Sequence, residues 1–510
     1  MADNSAFIKI VNDGFTFKGE NFKIGTAMLD GRPLTGTDVH IPLKTMNRHG
    51  LIAGATGTGK TKTLQVLAEG LSNASVPILL MDIKGDLSGI GAAGTLNEKI
   101  SERLSHTGGE YKPTAFPIEL LSISNEPGVR IRATVTEFGP ILLAKILGLN
   151  DTQEGVVAMI FKYCDDKKLP LLDLKDFIKL LQFAGNEGKI EIEKEYGKVS
   201  TTSTGTILRK VIELQQQGAD LFFGEPSFDV NDLMRISDDG RGMVSVLRVT
   251  DMQNRPKLFS TFMLSLLAEL YGSLPEEGDM DKPKLVLFID EAHLVFQEAT
   301  TALLQQIETV VKLIRSKGVG IFFCTQNPQD VPAGVLAQLG LKVQHALRAF
   351  TAADRKTIKQ AAENYPITQF YNVDELMTQL GTGEAFVTIL NESGIPSPLV
   401  HTMIMPPTSR MDILQQNEIS AIVSRSKLKN KYDQVIDSQS AYEILNAKLE
   451  DAANRPATTV AGKPEKSTLE KILESPIARQ AERTAGAMIT RTLLGALGLG
   501  GRSSKKGWFS

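Results

Sequence analysis

His49-Gly50-Leu51-Ile52-Ala53-Gly54-Ala55-Thr56-Gly57-Thr58-Gly59-Lys60-Thr61 decides the fold class of this chain. The first five residues form a short apolar strand, Gly54 to Thr61 fits G-x-x-x-x-G-K-[ST], and Leu64, Leu67 and Leu71 then recur at helical spacing. The motif alone arises by chance in on the order of a few per hundred chains of this length. A buried strand before it and a helix after it make the match far more specific, because the chemistry needs both. Gly54, Gly57 and Gly59 let the backbone curl so that its N–H groups face an anion at the positive end of the helix. Lys60 would reach the β- and γ-phosphates of a nucleoside triphosphate, and the Thr61 hydroxyl would ligate magnesium. Ala55, Thr56, Thr58 and Thr63 complete the expected phosphate-binding set. A second apolar strand, Pro77 to Asp82, ends in Lys84-Gly85-Asp86. A strand, loop, helix, strand unit with uniformly apolar strands predicts an α/β fold around a mainly parallel sheet covered on both faces.

Further along, Leu285-Val286-Leu287-Phe288-Ile289 leads into Asp290-Glu291, two adjacent carboxylates at the end of an apolar strand. Asp290 would hold magnesium at the carboxyl end of its strand, where open α/β sheets bind ligands. Glu291, held beside the γ-phosphate, would polarise the attacking water. The next strand, Val319 to Thr325, runs into Gln326-Asn327-Pro328, and the neutral Gln326 amide is placed to sense the γ-phosphate. Phosphoryl transfer spreads negative charge over equatorial oxygens, so a well-placed arginine is valuable. Arg48, Arg315, Arg348 and Arg355 are the candidates, and composition does not choose among them.

The 510 residues have 56 Lys+Arg against 59 Asp+Glu, a formal net charge of −3, with 42% hydrophobic and 23% charged residues. That balance excludes wholesale disorder and gives no global positive field, so any contact with nucleic acid or an anionic membrane must be local. Two cysteines, Cys164 and Cys324, are too few for a disulfide framework or a four-thiolate zinc site and suit free thiols in a reducing compartment. The N-terminus shows no secretory pattern, and the best apolar run, 485–500, is short and interrupted by Arg491, so a cytoplasmic protein without a stable membrane span is expected. The expected organisation is a small N-terminal β module over 1–45, an ATPase core over 46–94 and 239–405, a mainly helical insertion over 95–238, C-terminal helices over 406–455, and a linker with a basic tail over 456–510. Met488, Leu493, Leu494 and Leu497 could line one apolar helix face of that tail.

Taken together, Arg48 to Thr61, Asp82-Ile83-Lys84-Gly85-Asp86, Phe288 to His293, Arg315-Ser316-Lys317-Gly318 and Thr325-Gln326-Asn327-Pro328 resemble the HerA/FtsK superfamily of hexameric P-loop ATPases. Within it they are similar to the bacterial HerA-like helicase-domain proteins, over most of residues 40 to 400. The resemblance implies a RecA-like core assembled as a homo-hexameric ring, ATP and Mg²⁺ at subunit interfaces, and DNA passing through the centre. It implies that Arg48 acts as a finger on the neighbour's nucleotide, with Arg355 as the fallback, and that Arg315 acts in cis near the γ-phosphate. It also implies a ring-forming DNA translocase or helicase-like motor, with a nuclease or other protein partner conceivable. A motor acting on protein or membrane complexes, as in secretion systems of the same superfamily, is the alternative. Two departures stand out. Only about 45 residues precede Arg48, against the fuller N-terminal β-barrel of archaeal members, and Lys84-Gly85-Asp86 replaces a His-Gly-Glu-like run.

Overall fold

The computed structural model describes residues 4–454 apart from 279, 297–300, 435 and 437. One twelve-stranded sheet organises them: β1 (Asn21–Leu29), β2 (Arg32–Pro42), β3 (Gly50–Ala53), β4 (Ile78–Asp82), β5 (Ile118–Ser122), β6 (Val129–Arg130), β7 (Val244–Arg248), β8 (Leu285–Ile289), β9 (Val319–Thr325), β10 (Leu341–Gln344), β11 (Glu384–Thr388) and β12 (Val400–Ile404). The strand order is β2-β1-β12-β11-β10-β3-β9-β8-β4-β7-β5-β6. From β10 to β6 every pairing is parallel, and β11, β12, β1 and β2 extend the sheet as an antiparallel wing.

The central parallel strands are mostly apolar because both faces are covered. Along β8, Leu285, Leu287 and Ile289 join one hydrophobic cluster while Val286 and Phe288 join the other, the two-residue period of a pleated strand. The first cluster collects α4 (Val135–Ile146), α5 (Asp151–Lys167), α6 (Leu174–Gly185), α8 (Thr201–Gln216), α9 (Pro256–Ser273) and α11 (Thr301–Ile314). The second packs α1 (Asn4–Phe15) and α2 (Lys60–Asn73) on the opposite face, α2 through Leu64, Leu67 and Leu71. The RecA-like α/β core with a mainly parallel sheet is therefore the architecture found.

Two expected boundaries differ from the structure. Residues 1–45 open with α1, whose buried Phe7, Val11 and Phe15 recur every four residues and so share one helix face. The strands that follow are no separate β module, because β1 pairs with β12 and continues the central sheet. Within 95–238, β5 and β6 also belong to that sheet, β5 lying beside β7. Ile118-Glu119-Leu120-Leu121-Ser122 and the two-residue β6 are too short to carry a periodicity that separates a strand from a helical turn. The helical layer of this segment is α3 (Glu98–Thr107), α4, α5, α6, α7 (Lys189–Tyr196) and α8. Strands lie at the expected places near 341 and 384, and helices Gln416–Arg425 and Ala441–Asn454 follow Pro406-Pro407. The expected linker and basic tail from 456, with its apolar face, lies outside the described residues.

Candidate active site

The loop between β3 and α2 crosses the carboxyl edge of the parallel strands. Gly54, Gly57 and Gly59 have φ of 152°, 78° and 112°, a region that L side chains rarely adopt. Two of them are also sterically required. A Cβ on Gly54 would lie 2.5 Å from His345 Cβ, and one on Gly59 would lie 3.0 Å from the Gly383 backbone. The Gly54 N–H donates to the Thr325 carbonyl (3.2 Å) and the Ala55 N–H to that of Ala346 (2.8 Å), while the Thr58 carbonyl accepts from Gly383 N–H (2.8 Å). The loop is thus sewn to the ends of β9 and β10 and to the turn before β11. Lys60 opens α2 and rests its Nζ on the Ala55 carbonyl at 3.1 Å. Burial, with the Lys84 charge nearby, lowers its pKa. Thr61 is half-buried in the first turn of α2. Thr63, in the same turn, has a buried hydroxyl that donates to His345 Nε2 at 2.9 Å, and His345 packs against Gly54 and Gly59 of the loop.

Two strands from β3, the end of β8 delivers Asp290 and Glu291. Burial, reinforced by the Glu291 charge, pushes the Asp290 carboxyl up to about 7. Its Oδ2 is buried and has no hydrogen-bond partner. An orphaned carboxylate oxygen in such a place fits a divalent cation, and Asp290 with Thr61 would hold magnesium here. Glu291 occupies the left-handed region at φ 46°, uncommon for a residue with a side chain. Its buried carboxylate is ion-paired with Lys84 and lies 3.2 Å from His293 Nδ1, at the start of α10 (His293–Phe296). Between β3 and β8, β9 ends at Thr325, whose hydroxyl donates to Asp330 Oδ2 (2.6 Å), and the exposed Gln326 follows at the same edge. The phosphate loop, the paired acids and Gln326 therefore converge on one rim.

The arginines are distributed differently. Arg48 immediately precedes His49 and β3, at the amino edge of the sheet. Arg315 precedes β9 and is near enough to His49 to lower its pKa, after the larger effect of burial. The seven residues of β9 separate Arg315 from the rim by about 20 Å. A cis role for Arg315 is therefore not available, because no arginine side chain spans a whole strand. Arg348 lies two residues past the Ala346 carbonyl that holds Ala55, and Arg355 lies in helix Ala352–Ala362; both are exposed.

Several supporting residues carry no motif and escape sequence reading. His345 donates from Nδ1 to the Glu384 carbonyl (2.9 Å) and accepts at Nε2 from the Thr63 hydroxyl, and burial drives its pKa down to about 4, so it is a neutral strut. Arg103 of α3 donates to the carbonyls of Thr382 (2.7 Å), Ile404 (3.1 Å) and Gly383 (3.2 Å), fixing the turn that backs Gly59. Glu69 of α2 accepts from the backbone N–H and hydroxyl of both Thr408 and Ser409 at 2.5–3.0 Å. It ties the phosphate-loop helix to the strap that follows β12.

A glycine-rich loop opening a helix and paired acids two strands away define a P-loop fold of the RecA-like class. The chain belongs to the family described as helicase HerA-like C-terminal, whose model matches residues 28–466. It is 21% identical over 361 residues to the "DNA double-strand break repair helicase HerA" of Sulfolobus acidocaldarius, covering 69% of this chain and 64% of that protein. It is 24% identical over 374 residues to the "DNA import protein CedB" of the same organism, covering 70% of this chain and 52% of CedB. The chain thus matches less than two thirds of the length of these relatives. Among solved structures, the bacterial conjugative coupling protein TrwB superposes with a TM-score of 0.50 in its unbound monoclinic form, at 14% identity, over 80% of this chain and 94% of that one. Its complex with a non-hydrolysable ATP analogue gives 0.51 at 14% identity, over 80% and 95%. Cys164 and Cys324 are buried free thiols, and among the described residues no helix is long and apolar enough to cross a membrane.

Proposed function

We propose that this chain is a magnesium-dependent ATPase that works as a ring-forming DNA translocase or helicase-like motor. The observation that carries the reading is the convergence of the loop of Gly54 to Thr61, Asp290-Glu291 and Gln326 on one rim of three neighbouring strands. Lys60 and the loop amides bind the phosphates, Thr61 and Asp290 hold the cation that offsets their charge, and Glu291 takes the proton of the attacking water. Gln326 reads the γ-phosphate.

The placement of the arginines supports a ring. Arg48 and Arg315 stand at the sheet edge opposite their own nucleotide rim, so either completes a site only on a second copy of the chain. A homo-hexamer satisfies this with every site at an interface. Arg355, on an exposed helix, is the fallback for the same role. DNA as the cargo is supported by the similarity to HerA and CedB, whose names record DNA repair and DNA import. A nuclease or other protein partner belongs to the same reading, and buried reduced thiols support a cytoplasmic place.

Steady-state ATP hydrolysis with and without double-stranded DNA, against Glu291→Gln as the background, tests the proposal. A Glu291-dependent rate that DNA raises supports the motor. A Glu291-dependent rate indifferent to DNA retains the ATPase, overturns the DNA assignment and directs the search to protein or membrane complexes.

A further inference from the structure

Lys84 has no task in the chemistry above. It stands in the loop after β4, where the Asp82 carboxylate accepts the N–H groups of Gly85 (2.7 Å), Asp86 (3.1 Å) and Leu87 (3.2 Å). Gly85, at φ 80°, turns the chain there. Those bonds fix the loop beside β8, its neighbour in the sheet, and the Lys84 ammonium closes an ion pair on the Glu291 carboxylate. Lys84 is one-third exposed, whereas Glu291 is only 6% exposed at its side chain. Asp290, Asp86 and Lys60 are its other charged neighbours.

A carboxylate that takes a proton from water must present its lone pairs to that water. Paired with an ammonium, Oε1 of that carboxylate is already engaged, while Oε2 faces His293 Nδ1 at 3.2 Å. Glu291 also sits at a left-handed φ of 46° with its side chain buried. We propose that Lys84 is a latch on the catalytic base: it occupies Glu291 in the empty site and yields it when a triphosphate enters. The incoming γ-phosphate, drawn in by Lys60 close by, is a second anion competing for the same ammonium. Lys84 is thus a positioning residue that acts through Glu291, and its loop couples the state of the nucleotide to the availability of the base. This inference rests on the ATPase reading in which Glu291 is that base.

The test measures DNA-free hydrolysis of Mg-ATP by the full chain carrying Lys84→Met or Lys84→Arg, with Glu291→Gln as the blank. Lys84→Met raises kcat about threefold to tenfold, the worth of one partly exposed ion pair, with KM within about twofold of the unmodified chain. Lys84→Arg restores the low rate, because a guanidinium re-forms the pair. A kcat that is unchanged or lower in Lys84→Met, in a protein that melts normally, overturns the latch. If Met at this position prevents folding, Lys84→Gln carries the same expectation and the same contrary outcome. A Glu291→Gln rate equal to that of the unmodified chain shows instead that the base assignment itself is at fault.

Discussion

The two halves of the sheet divide the labour differently. From β10 to β6 the strands are parallel, buried at almost every position, and end in Gly54, Asp290 and Gln326. The wing of β11, β12, β1 and β2 is antiparallel and more open, with β2 exposed along its first half. It donates none of the groups assigned to the chemistry, yet its turn at Gly383 and the strap after it hold the phosphate loop and α2 in place. Reactive groups thus sit where strand ends converge, while the rigidity that makes them useful comes from another part of the chain.

The sharpest way to probe the parallel half is Glu291→Gln, which removes the proposed base while keeping the volume. Phosphate release falls by about 10²- to 10⁴-fold, the usual worth of a general base, with nucleotide binding retained. The wing is broken most severely by Glu69→Ala. It strands four donors of Thr408 and Ser409 and costs about 3–5 kcal/mol of stability, read as a lower denaturant midpoint with unchanged slope. Glu69→Gln, which keeps one acceptor oxygen, costs visibly less.

The seam between the halves is tested by a pair of glycines. Gly59→Ala meets both an unfavourable φ and the Gly383 backbone at 3.0 Å, whereas a Cβ on Gly57 meets nothing within 4 Å. The first costs about 2–3 kcal/mol and weakens nucleotide binding, and the second costs about 1 kcal/mol, both read by equilibrium unfolding. Equal penalties would show that the wing does not press on the loop.

A further test is a pH dependence. The Asp290 carboxyl, held up to about 7, is protonated below that pH, so magnesium must displace a proton to bind. Magnesium demand in a nucleotide-binding titration therefore rises about tenfold per unit as pH falls below 7. A carboxyl with a raised folded pKa makes the empty protein lose stability as pH climbs from about 4 towards 7, because the unfolded chain has by then released its proton. Added magnesium nucleotide offsets that loss, and Asp290→Asn flattens both profiles.

Much of the parallel half was legible from the sequence because its signals are local. Gly54 to Thr61 and Leu285 to Glu291 each carry a complete strand-to-loop pattern within about a dozen residues. The wing's contribution was not legible for the opposite reason. Glu69 meets Ser409 across 340 residues, Arg103 meets Gly383 across 280, and Thr63 meets His345 across 282. Nothing near any of these residues announces its partner. Thr63 falls beside the phosphate motif, and only the structure shows its hydroxyl bonded to His345, just past β10. Arg315 shows the same limit: the sequence places it near the paired acids, and only the length of β9 shows that it lies at the other edge.

The bonds from Glu69 to Thr408 and Ser409 also set an order of events during synthesis. The phosphate loop leaves the ribosome early, but the strap that anchors its helix emerges 340 residues later, about 20–70 s at ordinary elongation rates. His345 and Gly383 arrive in that interval as well. A nascent chain therefore carries the phosphate-binding motif long before it owns the scaffold that shapes it.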